Sequence, residues 1–167
     1  MKIDDFLTYT NNSEDLPFLT TKLFDVNVRL LKSSILYRII INSTISYLQT
    51  LCKTTFEDYS SFKGMSGANA AIPFNIIVIK RNTKYEIMLN PRIRRYSNTK
   101  LKIKSNCGSI RLTNPIEIER YYGVEVEWYD LECAKHIEYR TPKTGSLTIQ
   151  HEIEHNLGIL ITDRKAG

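Results

Sequence analysis

The stretch Ile149-Gln150-His151-Glu152-Ile153-Glu154-His155-Asn156-Leu157-Gly158, close to the C-terminus, constrains this chain more than any other. At 3.6 residues per turn, two histidines four apart project their imidazoles from one helix face. Glu152 directly follows the first of them. H-E-x-x-H is the pattern of a helix that holds a divalent metal with two rings and keeps a carboxylate beside the metal's water. The chain has three histidines, and two of them fall here.

The chain has 167 residues, enough for one compact core, and a single domain over 1–167 is expected. Seven glycines and five prolines argue against a long low-complexity region. Net charge is +5. The densest basic zone, Arg92, Arg94 and Arg95 with Lys100, Lys102 and Lys104, has one interleaved aromatic, Tyr96. It reads as a solvated face, and no specific nucleic-acid partner is expected. Cys52, Cys107 and Cys133 make an odd count without paired spacing, and no apolar leader follows Met1 to Asp5. That points to a reducing, cytoplasmic setting without a disulfide scaffold. The most apolar run, Ile35 to Leu51, is broken by Arg38, Asn42 and several hydroxyls. It is too polar to cross a bilayer, and no membrane partner is expected.

Along the chain, Met1 to Asp15 is polar, and Leu16-Pro17-Phe18-Leu19 is expected to anchor the N-terminal segment on the core. From about Ser33 to Phe56, Ile41, Ile45, Leu48, Cys52 and Phe56 recur at helical intervals, the stripe of an amphipathic helix. Ser60 to Asn69 reads as the main loop. Ile76–Ile79 and Tyr85–Leu89 read as two strands, the second closed by Asn90-Pro91. Ile116–Glu119 and Val124–Trp128 alternate apolar and acidic residues, as half-exposed antiparallel strands do. The Tyr122-Gly123 step between them suits a tight turn or bulge. A short strand is expected at Ile137–Tyr139, a helix from near Ser146 with Gly158 at its C-cap, and a short strand in the tail from Ile159. The fold class is α+β: antiparallel strands packed around a C-terminal metal-binding helix, with an N-terminal amphipathic helix.

Two histidines need a third ligand and an open position for water. Gly158 extends the pattern to H-E-x-x-H-x-x-G, as in metzincin proteases, but their third-ligand position is occupied by Ile161. The chain ends too soon for a downstream glutamate, so the ligand lies upstream. Cys107, in Ser105-Asn106-Cys107-Gly108-Ser109, is the natural candidate, because a thiolate is a strong soft ligand. Cys133 and His136 read as structural or exposed groups.

This constellation resembles peptide deformylase, whose motifs are G-x-G-x-A-A-x-Q, E-G-C-x-S and Q-H-E-x-D-H. Gln150-His151-Glu152-Ile153-Glu154-His155 matches the third, with Glu154 for Asp. Cys107 and Ser109 match the second, with Ser105-Asn106 in place of Glu-Gly. Gly67-Ala68-Asn69-Ala70-Ala71 keeps the Ala-Ala of the first. Met88-Leu89-Asn90-Pro91 is similar to the family's strand ending in I/L-N-P.

The resemblance implies an enzyme that removes the formyl group from N-formylmethionine on nascent polypeptides. Cys107, His151 and His155 would hold one divalent metal, Fe(II) in the family, with Zn(II) or Ni(II) able to substitute. Glu152 would move the proton, and the backbone N–H of Gly108 would face the oxyanion. The family's first-motif glutamine has no counterpart, since Pro73 stands near its place. Asn69, and after it Asn75, can offer a similar amide. Gln150 would orient the cysteine loop, and Leu147 and Thr148 would line the pocket for the methionine side chain. A transient ribosome contact and a monomeric state go with this reading. The short C-terminus is similar to that of deformylases carried by phages or organelles. Pro73 and Ser105 support an alternative: a protein of this fold that binds metal without turnover and serves as a binding or regulatory module.

Overall fold

The structure, a computed structural model, describes residues 22–58, 63–81, 83–110 and 114–164, with the side chains of 55–58 excepted. The expected N-terminal anchor at Leu16 to Leu19 lies outside the described residues.

Helix α1 spans Val28–Ser33 and α2 spans Ile35–Asp58. Helical structure begins earlier than the apolar stripe indicated, because Asn27 caps α1: its Oδ1 accepts the Leu30 N–H at 3.0 Å. Ser34 is extended and breaks the two helices apart. Arg38 fastens the elbow, donating from Nε to the Leu31 carbonyl at 3.1 Å and from Nη2 to the Lys32 carbonyl at 3.0 Å. The carbonyls that α1 leaves unpaired at its end are thereby satisfied. Of the predicted stripe, Ile41, Ile45, Leu48 and Cys52 are buried; the Phe56 side chain lies outside those described.

The main sheet has the order β1-β2-β3-β6-β7, all antiparallel, with β1 at Gly64–Ser66, β2 at Ile76–Arg81, β3 at Lys84–Tyr96, β6 at Val124–Tyr129 and β7 at Lys135–Arg140. The unbroken Ile76-Ile77-Val78-Ile79 run reflects a strand covered on both faces. Ile76 and Val78 face α1 and α2, in one cluster with Leu31, Ile41, Ile45 and Leu48. Ile77 and Ile79 face the opposite side, with Met88, Val126 and Trp128, where Ile149 and Ile153 of the C-terminal helix pack.

Strand β3 does not end at Asn90-Pro91, as the sequence indicated, but continues to Tyr96. Pro91 has no N–H for the ladder, and the register with β6 shifts between Leu89 and Arg92. Asn90 sits there at φ 53°. Its side chain accepts the Val26 N–H at 2.7 Å and donates to the Val26 carbonyl at 2.8 Å, tying the segment before α1 to the irregularity.

A separate two-stranded sheet pairs β4 (Lys100–Ser105) with β5 (Ile116–Tyr121). Consecutive strands β5 and β6 thus belong to different sheets, and Tyr122-Gly123 is the step between sheets. Lys102 lies opposite Glu119 and Lys104 opposite Glu117, while Arg94 meets Glu127 at 3.6 Å. The basic zone is set against carboxylates of neighbouring strands.

Helix α3 spans Ser146–Asn156. Gly158, at φ 76°, closes it: its N–H reaches the His155 carbonyl at 3.0 Å, and the Ile159 N–H reaches that of Glu154 at 2.9 Å. The tail forms a 3-10 turn at Ile161–Arg164 rather than the expected strand. Asp163 Oδ2 accepts the Leu160 N–H at 2.8 Å and curls it into a turn that packs beside β5 without joining it as a strand. Ile161 is buried against Cys107 and Ile118. No helix of the described residues is long and apolar enough to cross a membrane.

Candidate metal centre

Cys107 Sγ lies 3.2 Å from His155 Nε2, and His155 Nε2 lies 3.1 Å from His151 Nε2. The three candidate ligand atoms all fall within 4.8 Å of one another. Helix periodicity places the two rings; the turn leaving β4 brings the sulfur to them. Cys107 pairs with Ile110 in an isolated bridge, so the thiol flanks a tight turn whose tip is Gly108-Ser109.

Burial, then the mutual influence of the rings, then the Arg120 charge hold His151 well below the usual imidazole range. Burial, with Arg120 behind it, brings His155 down to about 4. Both rings are therefore neutral at pH 7, as ligands must be. Burial pushes the Cys107 thiol up to about 11, although the Ser109 N–H, its hydroxyl and the Ile110 N–H all point at the sulfur and oppose that rise. Those donors stabilise a thiolate once its proton leaves.

Glu152 is buried and, against the weak pull of Arg120, burial raises its carboxyl to about 8. Its Oε2 has no hydrogen-bond partner among the described residues. Arg120, the cation nearby, is spent on Glu154, so it leaves the buried Glu152 carboxyl largely uncompensated, and a divalent ion between the rings and the thiol would supply the missing charge. One soft sulfur and two imidazole nitrogens form a donor set suited to iron or zinc. The residues fit a metal.

Space around Glu152 is set by Gly64 in β1. A Cβ built there would fall 2.5 Å from Thr148 Cγ2 and 2.9 Å from Glu152 Cγ. Gly64→Ala is therefore expected to press α3 away from β1, costing about 1–3 kcal/mol of stability and displacing Glu152. Thermal melts alongside steady-state kinetics check this; a variant with unchanged melting and unchanged kcat would show that α3 yields freely.

The amide of Asn69 links β1 to the cysteine turn. Its Oδ1 accepts the Ser66 N–H at 2.9 Å and also bonds the Ser66 hydroxyl, which fixes the amide so that Nδ2 donates to Ser109 Oγ. A relay thus runs from Ser66 through Asn69 and Ser109 to the thiol. Gly108 lies at the tip of the same turn, half-buried. Asn75 is committed elsewhere, donating to Asp25 and accepting from Asn156. Thr148 is half-buried against Gly64, and Leu147 is half-buried beside it.

Gln150 reaches β5 rather than the cysteine loop. Its Oε1 accepts the Tyr121 N–H at 3.0 Å and its Nε2 donates to the Tyr121 carbonyl at 2.8 Å, because β5, not the Cys107 turn, runs beside that face of α3. Sequence reasoning overlooked Arg120. It is buried, 3.4 Å from His151 Nδ1 and 2.5 Å from Glu154, which Arg164 also meets at 3.2 Å. The alternation Ile116, Ile118, Arg120 was the available signal, since it puts Arg120 on the inward face of β5. His136 stacks on Trp128 and bonds Asp130 at 2.8 Å, away from the centre. Cys52 and Cys133 lie in the α2-side core.

An antiparallel α+β fold whose C-terminal helix brings two imidazoles and a buried carboxylate to an upstream thiol has the donor set and open layout of a metal-binding domain. The family model described as polypeptide deformylase matches residues 27–167, and the chain belongs to that family. A peptide deformylase of Aquifex aeolicus is 26% identical over 110 residues, covering 62% of this chain and 63% of the relative. One of Ligilactobacillus salivarius is 37% identical over 57 residues, 34% of this chain and 30% of the relative. The matched segments thus span less than two thirds of these relatives' lengths. Among solved structures, the class I type b peptide deformylase of Acinetobacter baumannii superposes with a TM-score of 0.72 at 21% identity, covering 92% of this chain and 95% of that one. The peptide deformylase of Thermotoga maritima gives 0.73 at 18% identity, with coverage of 94% and 96%. At such identities these two establish the fold.

Proposed function

We propose that this chain is a working peptide deformylase, a metal-dependent amide hydrolase that releases formate from N-formylmethionine at the start of nascent polypeptides. The observation that carries the reading is the meeting of Cys107, His151 and His155 beside buried Glu152 in a member of this family. Cys107 Sγ and the Nε2 atoms of the two histidines would hold the ion, Fe(II) by preference and Zn(II) or Ni(II) in its place. When bound, the ion supplies a Lewis acid that acidifies water and polarises the formyl oxygen.

The rest is the work of the chain. Glu152 takes the proton of the attacking water as oxygen adds to the formyl carbon. It then gives that proton to the amine nitrogen as the C–N bond breaks, leaving formate and a free N-terminus. Asn69 Nδ2, with one hydrogen committed to Ser109, has a second for the oxyanion. Gly108 N–H is the other proposed donor, and Leu147 and Thr148 shape the methionine subsite. Gln150 holds β5 against α3 and so keeps Arg120 behind His151.

The competing reading, a metal-binding module without turnover, rests on Pro73 and Ser105. The placement of Asn69 beside the cysteine turn weakens it, because an amide donor is available without the motif glutamine. A cytoplasmic site of action and transient ribosome contact go with the proposed substrate. The decisive assay is formate release from formyl-Met-Ala-Ser by protein purified anaerobically with Fe(II). Turnover that stops on chelation supports the enzyme; bound metal without formate supports the module. In the active protein, Asn69→Ala is expected to lower kcat on the order of 10²–10³-fold. An unchanged kcat would remove Asn69 from the oxyanion site.

A further inference from the structure

Helix α2 is apolar on two opposite faces. One face, with Ile41, Ile45, Leu48 and Cys52, is the core. The other begins at the elbow with α1 and has nothing over it among the described residues. Ile35 is 77% exposed, Leu36 69%, Ile39 56% and Ile40 46%, with Leu30 of α1 44% exposed beside them. At 100° per residue, Ile35, Leu36, Ile39 and Ile40 form one continuous ridge. A surface helix ordinarily turns one apolar stripe to the core, and a second stripe on its outer side calls for a cover of its own.

Charge decides what covers it. Helices α1 and α2 carry Arg29, Lys32, Arg38 and Lys53, and their only acids, Glu57 and Asp58, stand at the far end of α2 from the elbow. Across a groove of about 450 Å³ that holds Lys32 and Arg38 stands Glu132; Asp130 of the same turn is paired with His136, and Asp25, before α1, with Arg92. A second copy laid on this face would bring two cationic rims together. At the elbow the ridge is purely aliphatic; its one exposed aromatic, Tyr47, lies nearly two turns beyond Ile40. Aliphatic side chains rimmed by Lys and Arg are what an anionic bilayer surface receives.

We propose that the α1–α2 elbow is a peripheral membrane-docking surface that lays Leu30, Ile35, Leu36, Ile39 and Ile40 into the headgroup region of an anionic lipid bilayer. No span is needed: the helix lies on the surface instead of crossing it. The elbow and α3 pack on opposite faces of the main sheet, so docking leaves the metal centre facing away from the lipid.

The test is co-sedimentation of the full chain with vesicles of phosphatidylcholine alone and of phosphatidylcholine with about 30% phosphatidylglycerol. Binding to the anionic vesicles is expected to be at least about tenfold tighter, and Arg29→Gln or Lys32→Gln to weaken it about fivefold each. The double variant L36D/I39D is expected to lose binding while keeping the wild-type circular dichroism and melting temperature, since both side chains face solvent. Absent binding to anionic vesicles overturns the proposal, as does equal binding by the double variant. Concentration-dependent dimerisation that L36D/I39D abolishes, without vesicle binding, overturns it in favour of a second copy. Binding only to an acidic protein partner overturns it likewise.

Discussion

Glu152→Gln is expected to stop formate release, by a factor on the order of 10²–10⁴, with the metal still bound. The amide has nearly the shape of the carboxylate but takes no proton from water at neutral pH. The proposed ligand atoms on Cys107, His151 and His155 are not altered by the change. Metal content by elemental analysis and single-turnover formate release separate the two effects; a variant that keeps both would move the base elsewhere. The same variant has a signature in the metal-free protein. Folded Glu152 titrates near 8 rather than at its ordinary 4.5, so between those values the folded state holds the extra proton and stability falls as pH rises. His155 titrates near 4 rather than 6.5, so between those values the unfolded state holds the extra proton and stability rises with pH. Burial lowers His151 as well, so below 6.5 both imidazoles oppose Glu152; from 6.5 to 8 only the Glu152 slope remains. Metal-free wild type is therefore expected to lose melting temperature across that upper window, and Glu152→Gln to stay level.

The helix that carries the centre was legible because its constraint is local: periodicity alone aligns His151 with His155, and Gly158 marks the end. The burial pattern of β2 and the stripe of α2 were legible for the same reason, since apolar spacing records which faces are covered. What failed was information that lies between elements. The extension of β3 past Pro91 depends on β6 accepting a register shift, and the division of β5 and β6 between sheets depends on partners far along the chain. Gln150 was assigned to the cysteine loop because both belong to one motif set, yet its bonds follow from β5 running beside α3. Arg120 was missed because a single cation in an alternating strand looks like surface. Only the packed structure shows that its face is inward and that Glu154 and His151 await it.

Cys107→Ser is expected to be the most damaging substitution for the metal, weakening its binding by more than about 10²-fold, beyond the loss typical of an outer supporting residue. The serine hydroxyl occupies nearly the same place but keeps its proton, and no anion then faces the two neutral rings. The wild-type thiol, although pushed up to about 11 by burial, has three donors ready for the thiolate. Metal binding draws the proton off. Stability should report the same event. At free metal of about 1,000 times Kd, a bound ion stabilises the folded state by about 4 kcal/mol. Wild type should therefore show a metal-dependent rise in melting temperature that Cys107→Ser lacks, while the two metal-free melts agree closely. Ile118 and Ile161 pack around residue 107 and remain to hold its turn in place. An undiminished metal response in the serine variant would mean that the sulfur is not a ligand and that the two imidazoles recruit their third partner elsewhere.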